Sequence, residues 1–89
     1  MAQFEADITI TLRPSILDPQ GKATSHALDQ LGFDSVKDVR IGKNIRLTIV
    51  ADSADKARET AREACEKLLA NPVMEDFRID VRETELESS

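Results

Sequence analysis

The sequence predicts an α+β fold: one β-α-β-β-α-β domain, with a four-stranded antiparallel sheet carrying both helices on one face. Three observations lead there. Residues 4–12 alternate strictly between apolar and polar side chains. Two later stretches place apolar residues at helical spacing. Three further short stretches, 36–41, 45–51 and 77–81, alternate again.

In the first strand Phe4, Ala6, Ile8, Ile10 and Leu12 face one way, and Glu5, Asp7, Thr9 and Thr11 the other. Period two over this length means one buried face. Arg13-Pro14-Ser15 ends it, because proline cannot donate to a ladder. Asp18 followed by Pro19 is a helix start: an N-cap acceptor, then a residue whose fixed φ suits the first turn. The helix is expected to reach about Leu31, with an apolar stripe of Ala23, Ala27, Leu28 and Leu31. Gly32 is its left-handed C-terminal cap.

A second strand is expected over 36–41, with Val39 and Ile41 inward. Gly42-Lys43-Asn44 reads as a tight turn into a third strand at 45–51, so that the two form a hairpin. Ser53 or Asp52 caps the second helix, which runs to about Ala70. Its stripe is Ala57, Ala61, Ala64 and Leu68, with Cys65 and Leu69 alongside. These small residues suit close packing on a sheet. Glu63 and Lys67 stand at the favourable i,i+4 spacing, and Asn71-Pro72 stops the helix. Phe77, Ile79 and Val81 point inward from the last strand. The domain spans 1–83, and 84–89 is a polar, acidic tail expected to fray.

Composition narrows the function. A chain of 89 residues holds one small domain. The formal charge of −5 disfavours nucleic acid, whose binding begins with cations on phosphates. No stretch is long and apolar enough for a membrane span. No signal peptide is expected, since Glu5 and Asp7 interrupt any apolar run. The single cysteine, Cys65, cannot form an intrachain disulfide, and a cytoplasmic setting follows as the default.

The search for chemistry returns little. His26 is the only histidine and has no nucleophile or orienting carboxylate at a telling spacing. Cys65 lies beside the buried stripe, where cysteine acts as a small hydrophobe. Together they cannot make a zinc site. The three glycines, Gly21, Gly32 and Gly42, form no phosphate-cradling loop. Gly21 is unfavourable in a first helical turn, which suggests a close backbone approach by another element or a partner. Lys37, Arg40, Lys43 and Arg46 make a basic cluster that suits an acidic partner or a solvated edge. No catalytic, cofactor-binding or metal-binding residue is expected.

Four segments carry a resemblance: "LDPQG" at 17–21, "ALDQLGF" at 27–33, "VRIGKNIRL" at 39–47 and "KLLANPVMEDFRID" at 67–80. Together they resemble PurS, the small subunit family of phosphoribosylformylglycinamidine synthase, over residues 4–83. The resemblance implies a non-catalytic subunit of a ligase complex in purine biosynthesis. A synthetase subunit would hold ATP, magnesium and formylglycinamide ribonucleotide, and a glutaminase subunit would release ammonia. The small subunit, a homodimer or higher, would join the two and help shape the ammonia route, with no cofactor of its own. Gln20, Gly21, Arg40, Lys43 and Asn71 are the motif residues that folding least explains, and they are the expected partner contacts. The alternative reading is a small-molecule regulatory domain of ACT type, which shares the element order. An acylphosphatase-like hydrolase is a third, disfavoured because Arg13-Pro14-Ser15 lacks a glycine-rich phosphate loop.

Overall fold

The computed structural model describes residues 1–84. The chain forms β1 (Ala2–Leu12), α1 (Pro19–Gln30), β2 (Gly42–Ala51), α2 (Ala54–Ala64) with a π-helical turn at Cys65–Leu69, and β3 (Glu75–Thr84). The sheet has three strands, ordered β2-β1-β3, and both pairings are antiparallel. The expected tail begins at residue 84, but Thr84 closes β3. The rest of that tail lies outside the described residues.

The core follows the alternation of β1. Phe4, Ala6, Ile8 and Ile10 are at most 3% exposed. From α2 they are covered by Ala57, Ala61 and Cys65, all fully buried. Side chains this small let the helix axis sit close to the sheet. Ser53, one of the two expected caps, accepts from the Lys56 N–H at 3.2 Å. The surface ion pairs on this helix centre on Arg62, with Glu59 and Glu66. The π turn, closed by an Ala70 N–H to Cys65 carbonyl bond of 3.0 Å, lengthens the last turn by one residue. Cys65, Leu69 and Ala70 therefore face the core, and Leu68, expected in the stripe, is 82% exposed. Along the outer edge of β3, Arg58 donates to the Ile79 carbonyl at 2.9 Å.

The expected fourth strand and its hairpin are absent. Residues 36–41 run without strand pairing, and β2 begins at Gly42, inside the expected turn. A two- or three-residue hairpin turn needs a residue at positive φ. Among the described residues only Gly32 has one. Gly42 instead lies flat against β1, where a Cβ would stand 2.5 Å from the Ile10 carbonyl oxygen. Asn44 is held on the sheet by bonds to Asp7 (2.8 Å) and the Ile8 carbonyl (3.3 Å). The chain thus passes straight through 42–44.

The first helix departs from expectation in the same way. Its ends are as read. Asp18 caps the start, and Gly32 (φ 95°) closes a Schellman motif, with Phe33 donating to Leu28 and Gly32 to Asp29. Yet only α2 packs across the sheet. The first helix lies instead along the returning segment, with the Val39 carbonyl tight against Gly21. Ala23, Ala27 and Leu31 of the expected stripe are exposed, and Leu28 is half-buried. The molecule is consequently long, 51 × 30 × 19 Å. Its radius of gyration is 17.0 Å, where a compact chain of this length has about 12 Å.

Candidate functional site

The five motif residues converge on the end of the molecule where β1 leaves the sheet, α1 starts and β2 enters. Asp18 organises that end. One carboxylate oxygen accepts the Gly21 N–H at 2.9 Å and the other the Ile41 N–H at 2.7 Å. The residue is 4% exposed. The two backbone bonds, Gly21 first, hold its carboxyl below the ordinary range; burial opposes them, and nearby Arg40 adds to them.

Gly21 is buried, and a Cβ there would overlap the Val39 carbonyl oxygen and press on Asp18. Its locally poor position is therefore explained by close approach within the chain. Arg40 is also engaged internally. Its Nη2 donates to the carbonyls of Arg13 (2.8 Å), Ile16 (2.9 Å) and, at 3.5 Å, Leu12. It pins the loop after β1, and does not project freely from a strand as sequence reading expected.

Lys43 pairs loosely with Glu75, 3.7 Å apart, and stays largely exposed. Asn71 shapes the turn before β3: its Oδ1 accepts the N–H groups of Val73 (2.9 Å) and Met74 (3.2 Å). Glu75, which sequence reading missed, ties the two together. Its Oε1 accepts the Asn71 N–H at 2.8 Å while Oε2 faces Lys43. The sequence signal was present, since Glu75 lies inside the last motif segment, but β3 was expected to begin later. Arg13 adds a bond to the Pro72 carbonyl (2.7 Å) and an ion pair with Asp76 (3.2 Å).

Gln20 is exposed and makes no side-chain hydrogen bond among the described residues. It borders an open cleft of about 310 Å³ between Pro19, Ile41, Lys43 and Glu75, floored by Ile10 and Leu12. The cleft offers a free amide, an ammonium and a carboxylate over an apolar floor. That set can hold a polar protein segment. It contains no nucleophile with a base.

The reactive residues lie elsewhere. His26 is exposed on α1. Cys65 is buried, and that burial, with Glu66 beside it, raises its thiol pKa, so the reactive thiolate is disfavoured. Among the described residues no three His, Cys, Asp or Glu side chains gather as metal ligands.

Comparison with known proteins finds matches over most of the chain. A family profile described as PurS, phosphoribosylformylglycinamidine (FGAM) synthase, matches residues 5–83. The Bacillus subtilis phosphoribosylformylglycinamidine synthase subunit PurS is 44% identical over 81 residues, covering 90% of this chain and 94% of the relative. The crystal structure of Methanocaldococcus jannaschii PurS superposes with a TM-score of 0.82 at 39% identity, covering 92% of this chain and 99% of that one. A chain in the structure of PurLQS from Thermotoga maritima gives 0.82 at 37% identity, covering 94% and 100%.

Proposed function

This chain belongs to the PurS family, and from that premise we propose that it is the small, non-catalytic subunit of a phosphoribosylformylglycinamidine synthase. In that role it joins the synthetase and glutaminase subunits in the ATP- and glutamine-dependent amidation of formylglycinamide ribonucleotide. The observation that carries this reading is the match over residues 5–83 to the family, with relatives that include a chain of a PurLQS structure. The cleft beside Gln20 supports it, since an amide, an ammonium and a carboxylate over an apolar floor suit a protein segment. The ACT-type alternative is not favoured by these relatives.

Ammonia released at neutral pH is rapidly protonated and diluted. A protein that closes the space between two sites keeps the nucleophile neutral and concentrated. Such a part needs shape and fixed contacts, and ATP and magnesium belong on the synthetase. Among the described residues no helix is long and apolar enough to cross a membrane. A cytoplasmic setting accords with purine synthesis.

Self-association belongs to the same reading. The extended shape and the exposed Leu17, Leu31 and Phe33 around α1 leave a surface that a second copy can cover. The test is reconstitution. This chain, co-purified with synthetase and glutaminase subunits in the presence of glutamine and ADP, is expected to form a complex that makes the amidine from glutamine. A complex that assembles and turns over equally well without it would overturn the proposal.

A further inference from the structure

We propose that the uncharged turn at 68–74 is a preformed apolar knob by which this chain docks into an apolar groove of the synthetase subunit. The inference rests on the role proposed above and adds the surface that performs it.

Residues 68–74, Leu-Leu-Ala-Asn-Pro-Val-Met, form the longest stretch of the sequence without a charged residue, in a chain that is 33% charged. Depletion of charge is what distinguishes the centre of a protein interface from ordinary surface. Much of this stretch stays out of the core. Leu68 is 82% exposed, Val73 74% and Met74 41%. The π turn sends Leu69 and Ala70 inward and leaves Leu68 in water. A single exposed leucine is ordinary. Three apolar side chains around one turn, flanked by the exposed Lys67 and Asp76, make a contact patch. Folding gives no reason for apolar residues at 68 and 73, where polar ones would serve.

The turn is also rigid. Besides the Asn71 side chain on the Val73 and Met74 N–H groups, the Asn71 carbonyl accepts the Glu75 N–H at 2.9 Å. Arg13 holds the turn from the sheet side, with its guanidinium on the Pro72 carbonyl and its N–H on the Met74 carbonyl at 2.9 Å. With the Glu75 side chain on the Asn71 N–H, six hydrogen bonds fix residues 71–74. The apolar side chains are thus carried in a set geometry before any partner arrives, which removes much of the ordering cost of binding.

Two points select the occupant. The knob is continuous with the Gln20 cleft, because Glu75 holds the Asn71 N–H with one oxygen and faces Lys43, on the cleft rim, with the other. A fixed contact also belongs where position matters most. Ammonia must arrive at one point on the synthetase, where a small misplacement is costly. An apolar contact suits a lasting association of this kind.

The test compares Leu68→Gln/Val73→Gln with Leu68→Met/Val73→Ile. Each full chain is titrated against the synthetase subunit and, separately, the glutaminase subunit, after sedimentation and thermal unfolding of the free chain. Both variants should sediment and melt like wild type, since the sites are exposed. The Gln pair should bind the synthetase about tenfold more weakly, and the Met/Ile pair as wild type does. Undiminished binding by the Gln pair, beside a wild type that binds, overturns the knob alone. A loss confined to the glutaminase overturns the choice of partner. Altered sedimentation of the free Gln pair means that a second copy covers the turn, and a lowered Tm means that the side chains serve the fold; either overturns the docking. A wild-type chain that binds neither subunit overturns the proposed function itself.

Discussion

Asp18 and Ile41 are joined by a 2.7 Å hydrogen bond across 23 positions of sequence, using the carboxylate oxygen that the helix cap leaves free. One side chain thus starts α1 and anchors the entry to β2. Asp18→Ala should therefore cost more than an N-cap alone, whose typical loss of about 1 kcal/mol corresponds to roughly 4–8 °C in a domain this small. A drop in Tm beyond that range is expected, measured by thermal unfolding. Ser53→Ala, which removes only a cap, is the internal comparison.

The same carboxylate sets an acid dependence. Its folded pKa lies below the ordinary 3.8. A depressed carboxylate stabilises fully above its unfolded pKa and loses that contribution as pH falls through the folded value. Wild type and Asp18→Ala should thus differ fully in stability above about pH 4 and draw together as pH falls further, through the lowered folded value, as read by urea unfolding across that range. A gap that persists undiminished into strong acid would mean that packing, not charge, carries the effect.

Gly21→Ala should destabilise by about 1–3 kcal/mol, the usual range for forcing a methyl into filled space. The obstacle is the Val39 backbone carbonyl, which cannot swing aside as a side chain would. Equilibrium urea unfolding measures it. Wild-type stability would show that the α1 start is looser than the geometry indicates.

Two motif residues separate folding from assembly. Arg40→Glu removes the donor shared by the loop carbonyls of Leu12, Arg13 and Ile16, so the chain itself should lose stability. Gln20→Ala touches no internal bond, and its Tm should stay within a degree or two. In the reconstituted complex Gln20→Ala should weaken subunit binding several-fold, read by titration against the synthetase subunit. Unchanged binding would return Gln20 to the solvated surface.

Leu68 and Leu69 should behave oppositely. Leu68→Gln, at an 82% exposed site, should leave stability within about 0.5 kcal/mol. Leu69→Ala, packed against the main core, should cost about 2 kcal/mol. Urea unfolding of the pair checks whether the π turn sets which leucine is inside.

The readable parts of this fold were those decided locally. Alternation placed β1, and Asp18-Pro19 and Gly32 placed both ends of α1, because caps and side-chain periods act within a few residues. Leu68 was misplaced because one additional residue in a helical turn rotates everything after it, and no residue type in the run Cys65–Leu69 announces it. The strand at 36–41 was misread for a different reason. Val39 and Ile41 have the pattern of a strand, but a strand is defined by its neighbour, and this chain offers none. In the site, the five motif residues were grouped only because local folding left them unexplained, and nothing in the sequence placed them at one end. That Arg40 and Gly21 serve the chain itself was hidden because carbonyl acceptors and backbone proximity leave no mark in side-chain identity.

The Arg58 side chain lying on the Ile79 carbonyl has a consequence for how large an assembly can grow. A sheet with two open margins can recruit copy after copy and end as a filament. Here the guanidinium occupies one carbonyl on the outer margin of β3, so a copy adding there would first have to displace it. Arg58→Ala removes that obstacle and is expected to raise the tendency of the protein to polymerise through this margin.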